Sequence, residues 1–201
     1  MNMRKILMAS IVASTLAAGA HAQQRSVPDL AQLKTMTARF APVDLSADVG
    51  PLPASERQAL ARLVEAARVM DTLFLRQVWA GNETMLLDLL QDTSELGRAR
   101  LHYFLINKGP WSRLDQNAPF IAGAPPKPEQ ANFYPAGATK DEVDAWIATL
   151  PGAQRTFATG FFTTIRRNPE AKFVAVPYSF EYQGELARVA QLLREAAALT
   201  R

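Results

Sequence analysis

The stretch from Ser55 to Trp79, "SERQALARLVEAARVMDTLFLRQVW", decides the fold, because it predicts one long helix against which the other segments must pack. Ser55 can cap its N-terminus, and the helix would be roughly 37 Å long. After Val69, apolar side chains occupy the whole circumference, which is typical of a buried helix. We therefore expect this helix to begin at the surface and to end inside a core. Its predicted apolar stripe consists of Leu60, Leu63, Val64, Ala67, Phe74 and Val78.

One acidic residue, Asp71, lies within the apolar part of this helix. A buried carboxylate must be paired or hydrogen-bonded, because burying an isolated charge is costly. We expect a structural ion pair with an arginine, and a functional acid is the alternative.

Further helices are predicted on both sides of the long one, together with one β-hairpin. Thr139 and Glu142 have the spacing of a capping box. Two β-rich runs at 160–167 and 172–179 are separated by "NPEA", which favours a hairpin. The fold class is therefore mainly α, a helical lobe with one small β-hairpin. A single hairpin cannot cover its own face, so the chain is expected to be part of a larger body or to need a partner. The predicted helices are 27–40, 83–91, 94–107, 140–150 and from about Ser179 to the end.

The N-terminus has the three parts of a secretory signal peptide. Arg4 and Lys5 precede an apolar run from Ile6 to Ala18, and an A-x-A site follows. This predicts residues 1–22 as a signal peptide cleaved after Ala22, and 23–201 as one mostly helical domain. The apolar run is short for a transmembrane helix, which needs about 20 residues. A periplasmic or secreted protein is therefore expected, with no membrane attachment after cleavage.

Charge argues against a nucleic-acid partner. The whole chain has 22 basic and 19 acidic residues, and loss of Arg4 and Lys5 leaves 20 basic residues against 19 acidic ones. Nucleic-acid binding needs clustered Lys and Arg, and no such cluster occurs. The chain has no Cys, so disulfides cannot stabilise it after export.

The catalytic motifs that need histidine or cysteine are missing. Beyond the signal peptide the only histidine is His102, which lies among apolar residues and is expected to be a core or boundary residue. Catalytic zinc usually takes three protein ligands, and neither H-E-x-x-H, G-x-S-x-G nor a glycine-rich phosphate loop occurs. No catalytic residue, metal ligand or cofactor is therefore assigned to this chain. Spatially paired carboxylates remain an alternative, with Asp88, Asp92, Asp115, Asp141 and Asp144 available.

Several unusual segments occur in an order that resembles one family. They are "MDTLFLRQVWAGN", "NKGPWSRLDQNAPFI", "ANFYPAGATKDEVDAW", "FFTTIRR" and "FVAVPYSFEYQGELARVAQLLREAA". Together they resemble the N-terminal portion of bacterial and plant dipeptidyl-peptidase III-like proteins, from about Leu30 to the C-terminus. The resemblance implies a two-lobed zinc-dependent hydrolase that holds peptides in a cleft. It also implies an H-E-x-x-x-H zinc helix, which this sequence lacks.

Three explanations follow from that missing zinc helix. They are a fragment, one half of a split gene whose catalytic part is a separate chain, and a stand-alone peptide-binding or protein-interaction module. Binding residues for such a module would lie in the passage from Gly109 to Gly137. The candidates are Trp111, Arg113, Asp115, Phe133 and Tyr134. For Trp111, Arg113 and Asp115 a structural role is expected first, with Trp111 buried and the two charges bracing the loop.

Overall fold

The computed structural model describes residues 27–200, so the predicted signal peptide lies outside the described residues. This part of the chain is mainly α-helical, which confirms the predicted fold class. It contains the predicted hairpin and one shorter antiparallel ladder that was not predicted. The elements are α1 (Leu30–Thr37), α2 (Ala54–Val78), α3 (Asn82–Gln91), α4 (Glu95–Asn107), β1 (Trp111–Ser112), β2 (Ala118–Pro119), α5 (Lys140–Thr149), α6 (Gly152–Ala158), β3 (Thr163–Arg167), β4 (Phe173–Pro177), α7 (Tyr178–Glu181) and α8 (Gln183–Leu199).

The long helix α2 exists, but its start differs from the prediction. Pro53 occupies the N-cap position, and Ser55 lies inside the first turn. Proline suits a helix start because the missing N–H would have no partner there. At the C-terminal end of α2, two asparagine side chains donate to backbone carbonyls of the last turns. The Asn82 amide donates to the Leu75 carbonyl at 2.9 Å, and the Asn132 amide donates to the Arg76 carbonyl at 3.0 Å.

The first core lies between α1, α3, α4 and the segment after α4. Tyr103 and Phe104 are fully buried, and the Tyr103 ring packs edge-on against Phe120 with centroids 4.7 Å apart. Leu33 of α1 and Leu89 of α3 close the remaining sides. Leu75 of α2 belongs to the same core, so apolar surface from five separate segments is buried together and stabilises the N-terminal half of the described chain.

The second core forms around the predicted hairpin. Strands β3 and β4 pair antiparallel with Ile165 opposite Ala175, and Ile165 packs with Val143 of α5. The capping box is confirmed, since the Thr139 side chain accepts from the Glu142 backbone and the Glu142 side chain accepts from the Thr139 backbone. This cap begins α5 at Lys140, which places Val143 on the buried face.

Helices α2 and α8 form an antiparallel pair. Arg62 bonds Glu195 at 3.1 Å near one end, and Arg76 bonds Glu185 at 2.6 Å near the other. The sequence of α8 predicts one apolar stripe of Leu186, Val189, Ala190, Leu193 and Ala197. The first three are partly buried, but Leu193 and Ala197 are exposed, and the buried positions are Leu192 and Ala196.

The prediction that the end of α2 is buried on all sides is also wrong. The side of α2 that faces α8 carries the buried Ala59, Ala66 and Leu73. The predicted apolar stripe lies beside that buried face and remains exposed, as Leu63 and Phe74 illustrate. The helix therefore has a wider apolar surface than its neighbours in residues 27–200 cover.

Asp71 also differs from its prediction. Its side chain is 70% exposed, and its ion-pair partner is Lys108, with 3.4 Å between Nζ and Oδ1. Because this carboxylate is solvated, it needs no arginine partner to stay charged.

Candidate functional site

Trp111 is buried beneath the loop that follows α4, as expected. It is 3% exposed, and its indole N–H donates to the Pro125 carbonyl at 2.7 Å. Its ring packs edge-on against Trp79 at the end of α2, with centroids 5.1 Å apart. The Trp111 side chain thus joins the loop to the long helix. We call residues 110–125 the plug segment.

Asp115 fastens the plug segment to α4 and to the residues after α1. Its carboxylate accepts from the Arg39 guanidinium at 2.5 and 3.0 Å and from the Ser112 hydroxyl at 2.5 Å. The Ser112 hydroxyl also contacts the buried Tyr103 hydroxyl at 2.7 Å. The hydrogen bond to Asp115, with a smaller contribution from Tyr103, raises the pKa of Arg39 above its usual value. The guanidinium therefore stays charged at any physiological pH.

Arg113 fastens the same segment to the end of α4. Its guanidinium donates to the Ile106 carbonyl at 2.8 Å, and its backbone N–H donates to the Asn107 side chain at 3.0 Å. Arg113 and Asp115 thus brace the loop as expected, each through a partner outside it. A cation at the C-terminal end of a helix is also favourable to the helix dipole.

Phe133 and Tyr134 lie in a different set of contacts. The Phe133 ring stacks on Tyr178 with centroids 6.2 Å apart, and its carbonyl accepts from the Ile165 N–H at 2.8 Å. Tyr134 is partly exposed and lines a groove of about 400 Å³ with Val143 and Ile147 of α5. The five candidate residues therefore divide into two groups. Trp111, Arg113 and Asp115 pack on α1, α2 and α4, and Phe133 and Tyr134 pack near the hairpin and α5.

The prediction for His102 needs correction. His102 is exposed on α4 and shares a shallow groove with Lys34, Glu95 and Arg98. The apolar residues around it in sequence point elsewhere, because neighbouring residues of a helix face different directions. Within residues 27–200 no group of three or more His, Cys, Asp or Glu side chains is arranged to hold a metal ion. None of the described helices has the length and hydropathy to cross a bilayer.

A half-buried group of charges, which no sequence pattern predicted, lies where α2, β3, α7 and α8 meet. Arg166 bonds Glu181 at 2.6 Å, and Arg76 bonds Glu185 at the same distance. Arg76 also donates to the Glu181 carbonyl and lies 5.0 Å from the centre of the Tyr182 ring. These contacts hold the C-terminal helices against the end of α2. No local sequence pattern predicts these contacts, because Arg76 and Glu185 are 109 residues apart.

Sequence reasoning also misplaced Phe161 and Phe162. Both were predicted to begin a strand, but β3 starts at Thr163 and both rings are largely exposed in the preceding turn. The two adjacent phenylalanines themselves argue against a strand at these positions. Successive strand residues point to opposite faces, so two adjacent Phe cannot both enter one core from a strand.

Two solved structures resemble this chain. The dipeptidyl-peptidase III from Corallococcus sp. strain EGB is 64% identical, with a TM-score of 0.83, over 87% of this chain and 33% of that one. DPP III from Caldithrix abyssi is 38% identical, with a TM-score of 0.76, over 83% of this chain and 31% of that one. This chain thus spans about a third of each.

One curated relative also matches. Nudix hydrolase 3 from Arabidopsis thaliana is 31% identical over 83% of this chain, but the match covers only 28% of that longer protein. This chain therefore corresponds to less than a third of that protein. No protein-family profile matches the chain. The strong likeness in both sequence and fold to two DPP III structures confirms the resemblance stated above, and the chain fits an N-terminal portion of dipeptidyl-peptidase III.

Proposed function

We propose that this chain forms the N-terminal helical portion of an exported, zinc-dependent dipeptidyl-peptidase III-like enzyme, and that it does not hydrolyse peptides by itself. The observation that carries the proposal is the 64% identity to the Corallococcus enzyme over 87% of the chain. The likeness covers most of the chain in fold as well as in sequence, with a TM-score of 0.83. It supports a shared role for this third of the protein.

The metal that the family implies has no fitting ligands among the described residues. Residues 27–200 hold no cluster of three or more His, Cys, Asp or Glu suited to a metal ion. The histidine of this part, His102, shares its groove with Lys34 and Arg98. Glu95 also lines that groove, but its carboxylate is paired with Lys34 at 2.7 Å, and one histidine with one carboxylate falls short of the three protein ligands that catalytic zinc usually takes. In this proposal zinc is therefore bound by the remaining part of the enzyme, and no step of the reaction is assigned to residues of this portion.

The role that remains for this portion is to shape and support the peptide cleft. The plug segment suits that role because it is rigidly attached. Trp111 packs against Trp79 at the end of α2, Arg113 bonds the end of α4, and Asp115 bonds Arg39 after α1. A wall held by several such contacts keeps its geometry when a substrate binds, which is how a scaffold supports a site formed elsewhere.

A chimera tests this proposal. This chain would replace the matching third of the Corallococcus enzyme, and release of dipeptides from a chromogenic dipeptide arylamide would be measured. We expect activity in the chimera, and neither activity nor one bound zinc per molecule in the purified chain alone. Turnover by the chain alone would contradict the non-catalytic part of the proposal. A folded but inactive chimera would contradict the shared role.

Export by the predicted signal peptide is part of the proposal. N-terminal sequencing of the protein recovered from the periplasm or the medium should begin at Gln23. A product retained in the cytoplasm with Met1 intact would contradict export.

A second candidate is a peptide-binding or protein-interaction module, supported by the groove beside α5. Tyr134 offers an exposed ring there, and Lys140 and Asp144 offer one charge of each sign. Such a groove suits a short peptide with a polar end. Calorimetric titration with a peptide library should give binding that Tyr134→Ala abolishes and that Tyr134→Phe preserves. No heat from any peptide would remove this candidate.

A further inference from the structure

A wide apolar surface is left uncovered along one side of the α2–α8 pair. We call it the open face. Its side chains come from α2, α8 and the turn before β3, and each is at least 43% exposed. The open face consists of Leu63, Met70, Phe74, Phe161, Phe162 and Leu193.

These side chains form one surface. Met70 and Phe74 are four residues apart and therefore share a side of α2. Met70 and Phe162 line one groove of about 720 Å³ together with Leu186 of α8. Leu186 and Leu193 are seven residues apart, so they lie on the same side of α8. The open face therefore runs along both helices and onto the turn before β3.

The opposite side of the same helix pair is charged. Arg62 lies 3.1 Å from Glu195 and 2.9 Å from Glu65, and Arg188 lies 3.7 Å from Glu65. A row of solvated ion pairs suits a side that faces water. Two helices that are charged on one side and apolar on the other suit a position at the edge of a larger core.

The turn before β3 supports the same conclusion. Phe161 is 94% exposed and Phe162 is 77% exposed. The Phe162 ring contacts Tyr178 edge-on, with centroids 6.0 Å apart, so it is held in place while most of it faces outward. Single exposed apolar residues are common, but a continuous set of this size marks an interaction surface.

We infer that the open face is the surface on which the remaining two thirds of the dipeptidyl-peptidase III-like fold packs, an inference that rests on the proposed function. The occupant follows from the comparisons. This chain corresponds to 33% and 31% of the two DPP III structures, so some surface of it must contact the rest of each fold. Among the described residues the open face carries the two most exposed aromatic side chains, Phe161 and Phe162. Burying it would contribute apolar surface as a core does. Pairing with a second copy is an outcome that the test separates.

Thiol labelling tests the inference, because this chain has no Cys. Phe161→Cys would be introduced into the purified chain and into the chimera with the Corallococcus enzyme. Leu45→Cys is the matched control, since Leu45 is 95% exposed and lies outside the open face. Leu63→Cys is a second variant, because it removes less volume than the change at Phe161. The chimera without an introduced Cys measures the background.

In the chain alone, we expect a maleimide to label positions 161 and 45 at similar rates, and position 63, which is 44% exposed, more slowly. In the chimera, labelling at positions 161 and 63 should slow at least roughly tenfold, as expected for buried thiols, while the rate at position 45 stays unchanged. Each variant would be checked for a cooperative thermal transition. Rates at 161 and 63 in a folded chimera that match those in the chain alone would overturn the inference.

Other outcomes are equally decisive. Protection in the chain alone that grows with its concentration would assign the open face to a dimer instead. A chimera that does not fold, when the parent enzyme does, would overturn both proposals. An active chimera with an unprotected open face would overturn only this inference. An inactive chimera with a protected open face would overturn only the shared supporting role.

Discussion

The first core and the open face use the same kinds of side chain in opposite ways. Phe104 is fully buried among residues of α1, α3 and the plug segment, whereas Phe161 is almost fully exposed. The first core is closed because its partners all belong to residues 27–200. The comparison teaches that an apolar pattern shows which surface needs covering, and that the partner can lie beyond the segment that carries the pattern.

The largest expected effect comes from truncating one phenylalanine in each region. Phe104→Ala should lower the free energy of unfolding of the purified chain by about 3–5 kcal/mol, because it leaves a cavity in a closed core. Phe161→Ala should change it by less than about 0.5 kcal/mol, because the ring is already in water. Urea denaturation followed by circular dichroism measures both.

These two variants are controls for each other, since the residue types are identical. A similar loss at both positions would show that the open face is covered in the isolated chain, and would remove the contrast between the two regions.

An intermediate effect is expected at the plug segment. Trp111→Phe removes the indole N–H that donates to the Pro125 carbonyl, and the smaller ring makes a smaller contact with Trp79. We expect a loss of about 1–2 kcal/mol, from one hydrogen bond and some packing. Urea denaturation measures the loss, with Trp146→Phe as the matched control outside the plug segment. A change no larger than that of the control would mean that Trp111 does not hold the plug segment in place.

The smallest effect is a dependence of stability on alkaline pH at the junction of α2 and α8. Burial raises the pKa of Tyr182, and burial also raises that of Tyr178. A raised folded pKa favours the neutral phenol in the folded state. Its contribution to stability is therefore complete below the unfolded pKa, near 10, and is lost as the pH rises through the folded value.

The melting temperature should accordingly fall above about pH 10. Tyr182→Phe should flatten that fall, because the variant has no phenol to ionise there. Tyr134→Phe is the control, since Tyr134 is partly exposed. Identical alkaline profiles for the wild-type chain and Tyr182→Phe would show that another group controls this range.

Features set by neighbouring residues were predictable. The capping box at Thr139 and the hairpin of β3 and β4 depend on residues within a few positions of each other. The structural role of Trp111 was also predictable, because a large ring in a long connection gains most by burial. The partners of Arg39 and Arg76 were not predictable. Each of those two ion pairs joins residues that are far apart in sequence, by 76 positions for Arg39 and by 109 positions for Arg76.

The sequence by itself determined that α2 is one long helix with a broad apolar arc, because helix period and side-chain polarity are local properties. Only the tertiary structure decided how that arc is used. Helix α8 covers the part that carries Ala59, Ala66 and Leu73, and leaves Leu63, Met70 and Phe74 open. The reason is geometric: a single neighbouring helix covers one stripe of another helix, and the rest of a wide arc needs a further partner.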